Sequence, residues 1–315
     1  MAKEFRQHCW DQQVAESWRR LLQLALEEDL GRQGDVTSCA VVPAEAVGRA
    51  AVVARATGVI AGLPAVALTF QTIEPTLRLS VDVEDGQSVG AGQQIALVDG
   101  PARAILSAER LVLNVLGRLS GIATLTRRFV QAVSGTAARI YDTRKTTPGW
   151  RLLEKYAVRC GGGCNHRTGL FDAVLIKDNH LALWSRAGQD SGRSIAAAVR
   201  AARQYLAFQA ASRQNCQTTV EDHQAIVEVE VDSLEQLAEV LPASPDVVLL
   251  DNMTPQQLRQ AVAMRNALAP AVQLEASGGV SLDNVRAIAE SGVERISVGA
   301  LTHSATALDV SLDWL

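Results

Sequence analysis

Lysine is nearly absent from this chain: 26 of its 30 basic residues are arginine, and the four lysines are Lys3, Lys145, Lys155 and Lys177. The empty interval between Lys3 and Lys145 excludes a lipoyl- or biotinyl-carrying hairpin at Glu84–Asp99, where the pattern superficially suggests one. An excess of one charge is also missing. The net charge is −4 and the pI about 5.8, so a nucleic-acid-binding surface is not expected and any anion site must be local. No apolar run reaches the roughly 18 residues that span a bilayer. Met1–Asp11 has no apolar signal core, so neither membrane insertion nor secretion is expected. Cys9, Cys39, Cys160, Cys164 and Cys216 are odd in number and irregularly spaced. That suits reduced thiols in a cytoplasmic protein better than a disulfide framework.

What is present is enough apolar material for a large core: 315 residues, 48% hydrophobic, a length that fits two domains. Val14, Trp18, Leu21, Leu22 and Ala25 recur at helical spacing, and Asp29-Leu30-Gly31 supplies a stop, which predicts an amphipathic helix over 12–30. From Gly48 to Gly100 the pattern changes to short β-rich runs (51–54, 77–83, 94–98) broken by Gly and Asp, as in a small α+β domain. A long helical pattern covers 104–133. Beyond it, strand candidates at 139–141, 173–176, 225–229, 247–250, 272–274 and 295–298 alternate with helical segments, which predicts parallel strands with crossover helices. Most run straight into Asp142, Lys177, Glu230, Asp251, Glu275 with Ser277, or Gly299; strand carboxyl ends are where catalytic groups converge in a β/α barrel. Six strands are few for such a barrel, so an incomplete or irregular one is expected. Ser185–Thr219, rich in Ala, Arg and Gln, reads as a helix with a polar extension.

Residues 139–177 carry eight basic and three acidic side chains, a local charge of +5 (8 − 3) inside a chain of −4. Arg151, Lys155 and Arg159 fall at helical spacing and read as a solvated cationic face. Arg144, Lys145 and Lys177 stand at strand ends instead, and the placing of two of only four lysines there suggests that a compact point charge is wanted for an anion. Gly161-Gly162-Gly163 beside His166 and Arg167 offers backbone that can approach an anion closely. Cys160, Cys164 and His166 could be drawn together as metal ligands, but their spacing fits no usual zinc pattern. Ser277-Gly278-Gly279 and Gly299-Ala300-Leu301 follow the last two strands, where backbone N–H groups can bind phosphate or merely form turns. Glu228 and Glu230 alternate with valines on one strand face. Interior carboxylates need partners, so Glu230 and Asp251 are candidates for sugar hydroxyls or Mg²⁺, with an ion pair to Lys177 as the structural alternative.

Taken together, the strings Glu27–Leu30, Gly34–Thr37, Glu109-Arg110, Leu119–Thr124, Asp142–Gly149, Gly161–Leu170, Ile176–His180, Glu228–Val231, Leu250–Asn252, Glu275–Gly279 and Val298–His303 resemble the quinolinate phosphoribosyltransferase family over nearly the whole chain. Ser185–Thr219 looks longer than the family pattern. The resemblance implies an α/β protein, with an N-terminal open α/β sandwich (1–109), an irregular, incomplete α/β barrel (110–302) and a C-terminal segment (303–315) packing back on the first domain. It implies transfer of phosphoribosyl from phosphoribosyl pyrophosphate to quinolinate, with decarboxylation, by a Mg²⁺-dependent homodimer with shared active sites, higher assembly being left open. Arg110, Arg144, Lys145, His166, Arg167 and Lys177 correspond to the family's basic pocket, with Arg144 and Arg167 the preferred carboxylate clamps. Glu230 and Asp251 match its acidic residues, and Ser277, Gly278, Gly279, Gly299, Ala300 and Leu301 its phosphate loops. Lys145, Lys177, Glu230 and Asp251 are the expected catalytic groups, with Glu230 and Asp251 also toward Mg²⁺. Transfer to nicotinate, Schiff-base aldol chemistry at Lys177 and non-catalytic sensing of a pyridine metabolite remain as alternatives.

Overall fold

The structure, a computed structural model, describes residues 3–186, 194–213 and 226–315. The first half runs α1 (Gln12–Leu30), α2 (Val36–Val41), β1 (Val47–Ala54), β2 (Gly58–Val59), α3 (Leu63–Ile73), β3 (Arg78–Val81), β4 (Ser88–Val89), β5 (Gln94–Pro101) and α4 (Ala102–Ala132). It continues with β6 (Arg139–Tyr141), α5 (Arg151–Cys160), β7 (Val174–Ile176), α6 (Asp178–Arg186), α7 (Ile195–Arg213), β8 (Val227–Val231) and α8 (Leu234–Val240). The last elements are β9 (Val247–Asp251), α9 (Pro255–Leu268), β10 (Gln273–Ser277), α10 (Val285–Ala289), β11 (Arg295–Ser297), α11 (Ala300–His303) and β12 (Val310–Trp314). The described parts of Gln7–Val130, Lys145–Asn165 and Gly299–Leu315 form one compact unit, and those of Met1–Arg6, Gln131–Arg144 and His166–Val298 form another.

The first unit is built on an antiparallel sheet of order β12-β1-β5-β3. Its helix α1 has the predicted bounds: the Asp11 carboxylate accepts the Val14 N–H at 2.9 Å, and Gly31 takes a positive φ of 52° at the other end. Between them the apolar stripe buries Val14, Trp18 and Leu22. The last strand, β12, pairs with β1 from Ala50↔Trp314 to Ala54↔Val310. Its approach uses two glycines of α4. The Leu308 N–H donates to the Gly117 carbonyl at 2.9 Å, and a Cβ on Gly121 would lie 2.1 Å from the Thr306 carbonyl oxygen.

Two expectations fail in this unit. Arg151, Lys155 and Arg159 do not form a solvated face, because Lys155 is fully buried together with its neighbour Glu154. Arg151 and Arg159 turn onto flanking loops, donating to Thr146 Oγ1 at 3.0 Å and to the Gly163 carbonyl at 2.6 Å. Nor is Gly161–Gly163 free backbone for an anion. A Cβ on Gly161 would stand 2.5 Å from the Ala123 carbonyl oxygen, so at that position glycine permits close packing on α4.

The second unit is a six-stranded parallel sheet of order β6-β11-β10-β9-β8-β7. From β7 to β11 each strand neighbours the next in sequence, and β11 then pairs with β6, as the last and first strands of a barrel do. β6 and β7 are the two edges, so the expected incomplete barrel is found, with its opening between the first and second strands. The valines of β8, the valines and leucines of β9 and Ile296 of β11 are buried. Helix α9 begins with a capping box between Thr254 and Gln257 and with Pro255 in its first turn. The predicted strand at 225–229 is β8 at Val227–Val231, because its ladder with β9 continues to Val231↔Leu250. Ala225 lies outside the described residues, as do 187–193 and 214–219 of the Ser185–Thr219 segment; α7 occupies its middle.

Candidate active site

The carboxyl ends of the parallel strands carry a buried layer of charge with a more open one at the strand ends. In the buried layer, Asp142, just past β6, accepts the His166 backbone N–H at 2.8 Å. His166 turns both ring nitrogens to protein partners. Nδ1 accepts the Arg167 N–H at 2.8 Å, while Nε2 lies 3.0 Å from Glu228 and 3.4 Å from Glu275. Both carboxylates are fully buried, and Ser297 Oγ donates to Glu275. Burial disfavours an imidazolium, whereas the two neighbouring carboxylates favour one. An imidazolium, however, would aim its Nδ1–H at the Arg167 N–H. We therefore assign the Nε2–H tautomer and put the extra proton on Glu228, whose pKa is raised by burial and by Glu275. At Glu275 the burial penalty is opposed by hydrogen bonds from His166 and Ser297 and by the Arg295 charge, which lower its pKa, and it stays ionised.

Either placement leaves the cluster with one net negative charge. Arg295, also fully buried, balances it; its guanidinium donates to Gln273 Oε1 at 2.8 Å and to the Lys3 carbonyl at 2.7 Å. His166, Glu228 and Glu275 offer ligand atoms within 4.8 Å of one another, as a metal site would. With Nδ1 already accepting a hydrogen bond, Nε2 holds the proton and has no lone pair for an ion. Cys160 and Cys164 belong to the other unit and are in no disulfide, and burial followed by the Asp85 charge pushes the Cys160 pKa up to about 12.

In the more open layer, Arg167 is buried and donates from Nη1 to the Ala173 carbonyl at 3.1 Å. Its pKa is lowered first by burial and then by the half-buried guanidinium of Arg144. On the neighbouring strand ends Lys177 pairs with Glu230, the structural alternative foreseen for that carboxylate. Asp251 ends β9 and Ser277 ends β10, and the two residues are register partners. Gly278 and Gly279 follow with φ of 90° and 60°, a turn that side-chain-bearing residues rarely adopt. A cavity of about 210 Å³ is lined by Asp178, Glu230, Asp232, Gln236 and Asp251 among others. Carboxylate and amide oxygens of this kind fit a hard cation such as Mg²⁺.

The remaining expected site residues, Arg110, Lys145, Gly299, Ala300 and Leu301, belong to the antiparallel unit. Arg110 is exposed on α4. The exposed Lys145 has its carbonyl held by Thr302 Oγ1 at 2.7 Å. A Cβ on Gly299 would stand 3.0 Å from Lys145 Cδ, so glycine there leaves room for the lysine stem. Leu301 is fully buried. Behind the lysine, Arg118 binds the buried Glu154 at 2.6 Å and donates to the Thr302 carbonyl, and Glu154 accepts the Thr147 N–H at 3.1 Å. Sequence reasoning did not find Arg118, Glu154, Glu275 or Arg295 as members of these networks. The available signal was a charged residue inside an otherwise apolar helix or strand.

Two profiles of one family account for most of the sequence: the quinolinate phosphoribosyl transferase N-terminal domain matches residues 35–120 and the C-terminal domain residues 122–313. The chain belongs to the quinolinate phosphoribosyl transferase family. Among members of that family, it is 45% identical over 297 residues to the nicotinate-nucleotide pyrophosphorylase (carboxylating) of Mycobacterium leprae, covering 94% of this chain and 96% of the relative. A probable nicotinate-nucleotide pyrophosphorylase (carboxylating) of Bacillus subtilis is 40% identical, with 94% and 92% covered. The nicotinate-nucleotide pyrophosphorylase of Francisella tularensis superposes with a TM-score of 0.83 at 34% identity, covering 99% of this chain and 100% of that one. The sandwich-plus-incomplete-barrel architecture inferred from sequence is thus the architecture of the quinolinate phosphoribosyl transferases.

Proposed function

We propose that this protein transfers phosphoribosyl from phosphoribosyl pyrophosphate to quinolinate and decarboxylates the product, giving nicotinate mononucleotide, pyrophosphate and CO₂ in NAD biosynthesis. The observation that carries the reading is the gathering of the Lys177–Glu230 pair and Asp251 at neighbouring strand ends around one cavity, in the unit that also holds Arg144 and Arg167, two guanidiniums matched in number to a dianionic substrate. Guanidiniums can meet carboxylates with paired hydrogen bonds, which orients the pyridine ring as well as neutralising it. The ring nitrogen forms a bond to the ribose anomeric carbon as the bond to pyrophosphate breaks. Positive charge developing on the sugar is met by Glu230 and Asp251, and negative charge on the leaving group by Lys145 and Lys177. The carboxylate beside the quaternised nitrogen then leaves as CO₂, its bonding electron pair remains on the ring carbon, and one proton replaces it. Ser277–Gly279 and Gly299–Leu301 supply backbone N–H groups for phosphate.

Mg²⁺, when bound through Glu230 and Asp251, would add charge neutralisation toward pyrophosphate. Loss of quinolinate absorbance should require phosphoribosyl pyrophosphate, and absence of turnover in the complete mixture would refute the assignment. Activity should also require added Mg²⁺, with EDTA abolishing it at an unchanged melting temperature, because the proposed donors are carboxylates rather than a closed thiolate site. Unfolding by EDTA would instead point to a structural metal.

We further infer a cytoplasmic homodimer. Among the described residues no helix is long and apolar enough to cross a membrane, and Cys9, Cys39, Cys160 and Cys164 are in no disulfide. In a two-fold dimer each subunit would lend the exposed Arg110 of α4 to its partner's pocket. Arg110→Ala and Lys145→Ala subunits, dissociated and remixed at random, should then regain about a quarter of wild-type activity, since half the dimers are mixed and each holds one intact site. No recovery, with mixed dimers verified by native mass spectrometry, would assign Arg110 to its own subunit.

A further inference from the structure

Asn252 is one of only two non-glycine residues with positive φ among the described residues, at 54°. It directly follows Asp251, the last rung of β9. A left-handed backbone is unfavourable for most side chains and tolerated by asparagine, and such conformations persist where the surroundings require them. Three contacts define the requirement here. The Asn252 side-chain Nδ2 donates to Asp251 Oδ2 at 2.8 Å, and its backbone N–H donates to the Ser277 carbonyl at 2.9 Å. Its side-chain Oδ1 occupies the space in front of Gly278, where an added Cβ would come within 2.1 Å of it.

Among the described residues, no other side chain donates a hydrogen bond to Asp251. The same asparagine therefore fixes the rotation of the Asp251 carboxylate and the path of the Ser277–Gly278 turn on the adjacent strand. A single left-handed residue is what lets it do both. An extended residue would send its side chain to the opposite sheet face, away from the position beside Asp251 that Asn252 takes.

We infer that Asn252 is a positioning residue that holds the Asp251 carboxylate for a ribose and the adjacent Ser277–Gly278 backbone for its phosphate, so that it governs phosphoribosyl pyrophosphate rather than quinolinate. This rests on the function proposed above; turnover by the unmutated protein tests that function separately. The decisive variant is Asn252→Gly, which adopts the left-handed backbone freely but removes both side-chain contacts. Asn252→Asp keeps the shape and the tolerance of positive φ, but sets a carboxylate against Asp251.

Both variants should raise KM for phosphoribosyl pyrophosphate, and its Kd by calorimetry with Mg²⁺ present, by about 10- to 100-fold, the scale expected of a misplaced positioning group. KM for quinolinate and the melting temperature should remain close to those of the parent. Parental affinity for phosphoribosyl pyrophosphate in Asn252→Gly would show that only the backbone conformation matters and overturn the inference. Equal losses toward both substrates in the two variants would overturn it as well, by making Asn252 a general structural residue.

Discussion

Lys177→Ala should lower kcat for quinolinate turnover by roughly 10²- to 10³-fold, the scale seen when one preorganised electrostatic contact is removed from an active site, while the melting temperature hardly moves. The lysine lies at the end of β7 with 43% of its side chain exposed, and it pairs with Glu230. A pair this open to water contributes about 0–1 kcal/mol to folding. In the function proposed above, the same ammonium would meet charge that develops only during reaction. Lys145→Ala should behave alike, because Lys145 is exposed and its main-chain tie to Thr302 survives truncation of the side chain. Steady-state kinetics beside thermal melts separate the two effects. A variant that loses mainly melting temperature and keeps kcat would remove the lysine from the reaction.

Arg295→Ala should act in the opposite sense, costing about 3–5 kcal/mol of folding stability, as expected when one member of a buried charged network is deleted. Arg295 has no exposed surface, and its guanidinium lies over the Phe5 and Tyr141 rings at 5.3 and 4.9 Å. It also balances the single negative charge held by His166, Glu228 and Glu275. Removing it leaves that charge uncompensated in the interior and opens a void between aromatic rings. Urea unfolding monitored by tryptophan fluorescence reads the loss directly. A drop below about 1 kcal/mol would mean that Arg295, which also pairs with Glu4 at 3.4 Å, is not a required counter-charge in this interior.

The strand ends were legible in the sequence because they combine two strong signals: an apolar β-rich run and the polar residue that stops it. Arg139–Tyr141 was located without error, and β7, β9, β10 and β11 within a few residues. Register was less legible. Glu228 and Glu230 were read correctly as sharing one face, but not that one lies deep against His166 and the other at the strand end with Lys177. Alternation fixes which face a residue takes, whereas depth depends on neighbouring strands far away in sequence. Lys155 was misread for the same reason: its spacing matches a solvated stripe, and only tertiary packing buries it. The glycines at 161–163 carried a generic signal, since close helix packing and anion binding both demand a missing side chain. Asn252 left no signal beyond its place after Asp251, because a positive φ cannot be read from an asparagine alone.

The proposed function joins phosphoribosyl transfer and release of a carboxylate at one site. Its most direct test is product stoichiometry with quinolinate labelled at the carboxylate adjacent to the ring nitrogen. Labelled CO₂, pyrophosphate and nicotinate mononucleotide should appear in equal amounts, only when phosphoribosyl pyrophosphate is present, and nicotinate should be a far poorer acceptor. Label retained in the nucleotide product, or nicotinate consumed with a comparable kcat/KM, would contradict the account.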